Sequence, residues 1–107
     1  MDYQFLQLEQ QNQVATVWIN RAELHNAFNT QVIEELHACF QSLNSRDDVR
    51  VVILAGRGKS FSAGADLNWM KQAGQASQAD NEADALKLAK MLQSLATLKQ
   101  PTIARVH

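Results

Sequence analysis

The chain has 107 residues, of which 46% are hydrophobic and 20% are charged. This length fits one domain with one core, because domains usually run to about 100–200 residues. The composition excludes a wholly disordered or collagen-like chain. Ten basic residues against eleven acidic ones give a net charge of -1, so no basic surface is predicted and nucleic acid is not expected as a partner.

Cysteine content and hydropathy narrow the class of protein further. Cys39 is the single cysteine, which excludes an internal disulfide and a zinc site of the usual kind. The longest apolar run, Val51 to Ala55, is too short to cross a bilayer. The first ten residues have neither the basic nor the apolar region of a secretory signal. We therefore expect a cytoplasmic protein with no membrane attachment.

The first elements in chain order are two predicted strands. Residues 3–9 mix apolar and polar side chains, which is typical of an edge strand. Residues 10–13 are polar and predict a turn. Val14 to Ile19 is β-branched and apolar, which predicts a second strand and hence a hairpin. The hydrophobic residues of segment 20–29 recur at neither helix nor strand spacing, so this segment is predicted to form a loop.

A helix and a buried strand follow. Thr30 is a suitable N-cap, and the helix is expected to run to Asn44. Its apolar residues recur at helical spacing, at Ile33, Leu36, Phe40 and Leu43. Cys39 lies on this helix and is predicted to be an inert packing thiol. After a charged loop over 45–50, the apolar run 51–55 is typical of a strand buried on both faces. A helix between strands indicates a crossover and a parallel pair.

The second half of the chain alternates small polar stretches with helical ones. Residues 56–64 are rich in glycine and serine, and a short helix is predicted over 65–73. The sequence GQASQAD, residues 74–80, consists of small and polar residues with no hydrophobic period, which predicts a mobile loop. A long helix is predicted over 81–98, with Leu88, Leu92 and Leu95 on one face.

The last predicted element is a strand over 102–106, after Pro101 has ended the long helix. The chain stops at His107, directly at the exit of this strand. A natural domain seldom stops at the exit of a strand inside a parallel sheet. We therefore expect the chain to be a fragment of a longer protein.

The glycine-rich stretch AGRGKSFSAGADL has the context of a phosphate-binding loop, between a strand and a helix. The pattern G-x-x-x-x-G-K-S/T fails because its first glycine would be Ile53, inside the strand. The dinucleotide pattern G-x-G-x-x-G fails at Phe61, where the third glycine is required. Small residues at 62–65 would still let a ligand approach the backbone, and N–H groups at a helix start can hold a negatively charged oxygen. The alternative is a small-residue elbow that only packs a helix onto a sheet.

Three segments together resemble a known family. FSAGADL, residues 61–67, follows the buried strand and is similar to the signature of the enoyl-CoA hydratase/isomerase (crotonase) superfamily. NRAELHNAFN, residues 20–29, resembles that family's N-R-P-x-x-x-N-A-x-N loop, with Ala22 where proline is usual. KQPTIARVH, residues 99–107, resembles its K-P-x-I-A-x-V-x segment, with Gln100 inserted. The resemblance spans the whole chain, and the chain covers well under half of the family's length.

The resemblance implies a fold and a class of substrate. The fold is α/β and crotonase-like (ClpP/crotonase), built of β-β-α-β units, with residues 1–107 as the N-terminal portion of its spiral core. The partner implied is an acyl-CoA thioester. No cofactor and no metal are implied, because coenzyme A is part of the substrate. The implied assembly is a homo-oligomer, a trimer often paired into a hexamer. Residues 63–70 and 84–92 resemble the branch that hydrates methylglutaconyl-CoA in leucine breakdown.

The resemblance also implies site residues. In the family, the thioester carbonyl lies between two backbone N–H groups that stabilise the developing enolate. The first matches Ala65, as the catalytic oxyanion donor, and the second would lie beyond His107. The implied substrate-binding residues are Asn26, Ala27, Ala63, Gly64, Ala65, Asp66, Leu67 and Asn68.

Several nearby side chains have two interpretations. Arg21 or His25 could meet the phosphates of coenzyme A, but Arg21 could equally be a solvated loop charge. Asp66 is favoured as a first-turn acid that interacts with the helix dipole. His25 and His37 are expected at the surface.

The catalytic acid and base are not among these residues. The family's two glutamates would fall after His107, and no glutamate of this chain lies at a matching position; those present are Glu9, Glu23, Glu34, Glu35 and Glu82. We expect the parent protein to be an enoyl-CoA hydratase/isomerase of fatty acid or leucine catabolism, and the chain alone to be inactive. The alternatives are a non-catalytic CoA-binding or assembly module and a truncated pseudo-enzyme that persists only within an oligomer.

Overall fold

The computed structural model describes residues 3–59, 61–62, 64, 66–75 and 77–106, with 67, 68 and 73 described through their backbone. The chain opens on an antiparallel hairpin of β1, Leu6–Gln11, and β2, Val14–Ile19. The hairpin and the bounds of β2 are confirmed, while β1 begins and ends later than predicted. Asn12 turns the chain with φ 56°, a conformation that asparagine tolerates better than most residues.

Helix α1, Thr30–Asn44, packs on one face of the sheet. Its N-cap is Asn29, one residue before the predicted Thr30, because the Asn29 side chain accepts a hydrogen bond from the Val32 N–H at 2.9 Å. The predicted apolar face is confirmed, since all its members are buried, namely Ile33, Leu36, Phe40 and Leu43. Cys39 is fully buried in the same core.

The sheet has the order β1-β2-β3-β4, in which β3 is Val51–Gly56 and β4 is Thr102–Arg105. Both β2–β3 and β3–β4 are parallel pairs, which confirms the predicted crossover. The expectation that β3 is buried on both faces is wrong. Val52 and Leu54 face the core under α1, whereas Val51 and Ile53 are half-buried on the other face.

Two helices connect β3 to β4: α2, Leu67–Gln75, and α3, Gln78–Ala96. The prediction of a mobile loop over 74–80 is wrong, because α2 runs to Gln75 and α3 begins at Gln78. The Ser77 hydroxyl accepts a hydrogen bond from the Asp80 N–H at 3.1 Å and so caps α3. The predicted short helix begins and ends two residues later than expected.

The packed face of α3 also differs from the predicted one. Met91 is buried, and Leu88 and Leu95 pack beside it against the core. Leu92 is half-exposed, because one neighbouring helix buries only a narrow stripe of α3 and Leu92 lies on the flank of that stripe. No helix of the described chain is long and apolar enough to span a bilayer.

Candidate functional site

The candidate site is formed where two loops meet at the carboxyl ends of the parallel strands β2 and β3. The loop after β2 spans residues 20–29, and the loop after β3 leads to α2. The Phe28 N–H donates to the Gly64 carbonyl at 2.6 Å, and the Asp66 N–H donates to the Phe28 carbonyl at 2.7 Å. The Ser62 hydroxyl adds a bond of 2.9 Å to the Asn26 carbonyl. The loop after β3 is therefore held against the loop after β2 through Ser62, Gly64 and Asp66.

Asn26 joins the two loops through its side chain. The carboxamide oxygen accepts from the Arg21 N–H at 2.8 Å, and the carboxamide nitrogen donates to the Arg57 carbonyl at 2.8 Å. The side chain is fully buried, and the backbone is left-handed with φ 57°. A Cβ on the neighbouring Gly56 would lie 2.5 Å from the Phe61 carbonyl oxygen and 2.8 Å from Asn26 Nδ2. This close approach explains why glycine is needed at the end of β3.

A buried ion pair connects Arg21 to Asp66. Arg21 Nη2 lies 2.9 Å from Asp66 Oδ2, and the two side chains are 10% and 8% exposed. Arg21 Nη1 donates to the Ala27 carbonyl at 3.0 Å, and its guanidinium carbon lies 5.0 Å from the centre of the Phe5 ring. The interpretation of Arg21 as a solvated loop charge is therefore wrong. Its guanidinium binds protein groups on several sides, which argues against a role in binding a phosphate.

Asp66 acts as a cap rather than as an acid within the first turn. Its Oδ1 accepts from the Trp69 N–H at 2.9 Å, while Oδ2 contacts Arg21. The carboxylate thus satisfies a free N–H of α2 and places negative charge at the positive end of the helix dipole. The pairing of Asp66 with Arg21 was not predicted, because nothing local to either motif indicates a contact between them.

The remaining predicted site residues are placed as follows. Gly64 is exposed and adopts φ +93°, which favours glycine. Ala27 is 7% exposed and lies in the loop after β2. Leu67 and Asn68 are the first residues of α2. Ala63 and Ala65 lie outside the described residues. The structure thus brings the two predicted segments together, and substrate contact by any of these residues stays a prediction.

The histidines and Cys39 differ in their agreement with prediction. His25 is exposed, as expected, but His37 is half-buried with Nδ1 3.3 Å from the Ser94 hydroxyl. Burial raises the pKa of the Cys39 thiol to about 11, although a hydrogen bond from Tyr3 acts in the opposite direction. A thiol with so high a pKa is a poor nucleophile at neutral pH, which agrees with the packing role predicted for Cys39.

The family model described as Enoyl-CoA hydratase/isomerase matches residues 9–107. The chain belongs to this family. The short-chain-enoyl-CoA hydratase of Clostridium acetobutylicum is 34% identical over 105 residues, which cover 94% of this chain and 38% of that protein. The mitochondrial Delta(3,5)-Delta(2,4)-dienoyl-CoA isomerase of Mus musculus is 35% identical over 97 residues, which cover 91% of this chain and 29% of that protein.

Solved structures of this family have the same fold. The crystal structure of an enoyl-CoA hydratase from Shewanella pealeana matches with a TM-score of 0.93 and 33% identity, over 96% of this chain and 39% of that one. An enoyl-CoA hydratase from Mycobacterium smegmatis matches with a TM-score of 0.89, 31% identity, and coverage of 96% and 40%. The predicted α/β crotonase-like fold is thus confirmed. The chain spans well under half the length of the relatives it matches.

Proposed function

We propose that this chain is the CoA-thioester-binding portion of an enoyl-CoA hydratase, a lyase that adds water to a 2-enoyl-CoA. The observation that supports this most is the hydrogen bond from the Phe28 N–H to the Gly64 carbonyl. Together with the bond from the Asp66 N–H to the Phe28 carbonyl, it holds against each other the two segments that resemble the family's substrate-binding motifs. The resemblance assigns the oxyanion donor to the backbone N–H of Ala65.

The proposed role of that N–H is to stabilise negative charge on the thioester oxygen. Addition of water to a 2-enoyl-CoA passes through an enolate-like state, and donors aimed at this oxygen before the reaction stabilise the transition state. The N-terminal end of α2 adds a positive partial charge nearby. A second donor, the base that activates water and the acid that protonates the α-carbon are proposed to come from residues after His107.

A finer proposal concerns the substrate and the assembly. Residues 63–70 and 84–92 support a hydratase of branched glutaconyl thioesters such as methylglutaconyl-CoA. The enzyme would need no cofactor besides the coenzyme A of its substrate, and would work in the cytoplasm as a trimer or hexamer. The alternative is a non-catalytic CoA-binding module of the same fold. The reading frame after His107 separates the two, because a hydratase requires a segment like G-G-G-x-E there.

The test of the proposed role removes one N–H from the full-length protein. Replacing Ala65 with lactic acid by nonsense suppression turns the amide into an ester, which deletes this donor and also weakens the Gly64 carbonyl as the acceptor of the Phe28 N–H. We expect kcat to fall about 100- to 1000-fold, or roughly 2.7–4 kcal/mol of transition-state stabilisation, with Tm close to that of the wild type.

The matched control is Ala65→Gly, which retains the N–H and is expected to lose far less activity. An ester variant with wild-type kcat would show that Ala65 is only a packing residue. That result would favour the small-residue elbow over the oxyanion site.

A further inference from the structure

We propose that Arg21 and Asp66 form a positioning pair that fixes the start of α2 relative to the loop after β2. This inference rests on the proposed function, since it assigns the pair to the same site. Neither residue is assigned contact with the reacting atoms. The pair would act through the backbone of Asp66, whose N–H donates to the Phe28 carbonyl at 2.7 Å.

The geometry of Arg21 suits this role. Its guanidinium uses one terminal nitrogen for the Ala27 carbonyl, at 3.0 Å, and the other for Asp66, at 2.9 Å. A planar guanidinium presents its N–H donors in a rigid fork, so the two acceptors are held at a set separation. The start of α2 is thereby tied directly to the loop that contains Phe28. The Phe5 ring lies 5.0 Å from the guanidinium carbon and limits its movement further.

Asp66 transmits this constraint to the backbone. Its carboxylate binds Arg21 through one oxygen and the Trp69 N–H through the other, while its own N–H donates to Phe28. The residue after the proposed donor is therefore fixed at its side chain and at its main chain. Any displacement of Asp66 would shift the start of α2 against the loop after β2.

The burial of the pair argues for a geometric role over a purely stabilising one. The two side chains are only 10% and 8% exposed, so both charges have lost most of their water. Replacing a buried ion pair with apolar or neutral groups is often neutral for stability, whereas removing one partner is strongly destabilising. A contribution to the free energy of unfolding therefore does not explain why an ion pair is present here. The precise orientation of the two loops explains it better.

The experiment compares four variants of the full-length protein. Asp66→Asn keeps an oxygen to cap α2 and removes the charge. Arg21→Met removes the fork at similar length, and the double variant removes both charges. Arg21→Lys keeps the charge but cannot form the fork. Glu34→Gln/Lys87→Met serves as the matched control, because that ion pair of 3.0 Å is half-exposed and lies between α1 and α3.

We expect each charge-removing single variant to lower Tm and the double variant to recover most of the loss. The double variant and Arg21→Lys should still have kcat reduced about 10- to 100-fold, with KM for the thioester nearly unchanged, because a small misplacement of a catalytic group costs this much. The control pair should leave both constants unchanged. If the double variant recovers kcat together with Tm, the pair only stabilises the fold and the proposal is wrong.

A second readout does not depend on activity. Amide hydrogen exchange at Phe28 and Asp66, the donors of the two bonds between the loops, should be at least tenfold faster in the double variant than in the wild type. If the wild type hydrates no enoyl-CoA, the proposed function fails, and exchange alone decides whether the pair positions the loop. Unchanged exchange at both amides would overturn the positioning role.

Discussion

The Asn26 side chain stabilises the arrangement of the candidate site without taking part in the proposed reaction. Its carboxamide bonds the backbone of both loops, and its left-handed φ of 57° lets the chain double back towards Ser62. The carboxamide oxygen, the carboxamide nitrogen and the backbone carbonyl of Asn26 all form hydrogen bonds within the protein. We therefore interpret the Asn26 side chain as a link between the two loops rather than as a group that binds the substrate directly.

Cys39 gives a prediction on the dependence of stability on pH. Burial raises its pKa from an ordinary 9.0 to about 11 in the folded chain. Because the folded state holds the proton more tightly, the stabilisation is fully present below pH 9 and is lost as pH rises towards 11. We expect the free energy of unfolding to fall by about 1 kcal/mol between about pH 8 and about pH 10.

Urea unfolding at several pH values measures this slope, and Cys39→Ala is the control. The alanine variant is less stable overall because of the cavity it leaves, but its slope should be flatter over the same interval. Equal slopes in the two proteins would mean that another group causes the change. Burial also raises the pKa of Tyr3, from an ordinary 10.0 to about 12, so Tyr3 adds a smaller loss of stability near pH 10 in both proteins.

At the scale of elements, capping side chains decide where the helices begin. Asn29, Asp66 and Ser77 each accept a hydrogen bond from a backbone N–H of the first turn of α1, α2 or α3. Each lies immediately before its helix. The prediction of a mobile segment over 74–80 failed because it gave weight to the small residues and none to Ser77 as a cap.

Ser77 provides the test at this scale. Ser77→Ala removes the acceptor of the Asp80 N–H and should destabilise the start of α3 by about 1 kcal/mol. Faster amide exchange confined to residues 78–81 is the expected result. Ser77→Asp retains a capping oxygen and should preserve protection. Equal protection in the alanine variant would show that the junction of α2 and α3 is held by packing alone.

At the scale of the whole molecule, apolar surface is exposed on α3, on β4 and at the residue that follows β4. Leu86 and Leu92 are 55% and 50% exposed, and Ile103 and Val106 are 54% and 72% exposed. All four residues of β4 are exposed, and in the described sheet β4 pairs only with β3. A strand with an open edge and apolar side chains is a template for another chain.

We therefore expect the 107-residue chain by itself to associate. Sedimentation velocity should give a mass that rises with concentration, and Ile103→Lys should shift the distribution towards monomer, because a lysine on an edge strand opposes pairing. Gln93→Lys adds the same charge to an exposed position of α3 and should have a smaller effect. A compact monomer at all concentrations would contradict the prediction.

The sequence alone determined the local elements and the family of this chain. The bounds of β2, the buried stripe of α1 and the parallel β2–β3 pair all followed from side-chain pattern, because burial of an apolar face depends on spacing along one element. Tertiary structure decided the contacts between distant segments: the Arg21–Asp66 pair, the bonds of Asn26 to both loops, and the packing of Met91 in place of Leu92. These depend on which surfaces meet across the fold, and residues far apart in sequence carry no local pattern that indicates such a meeting.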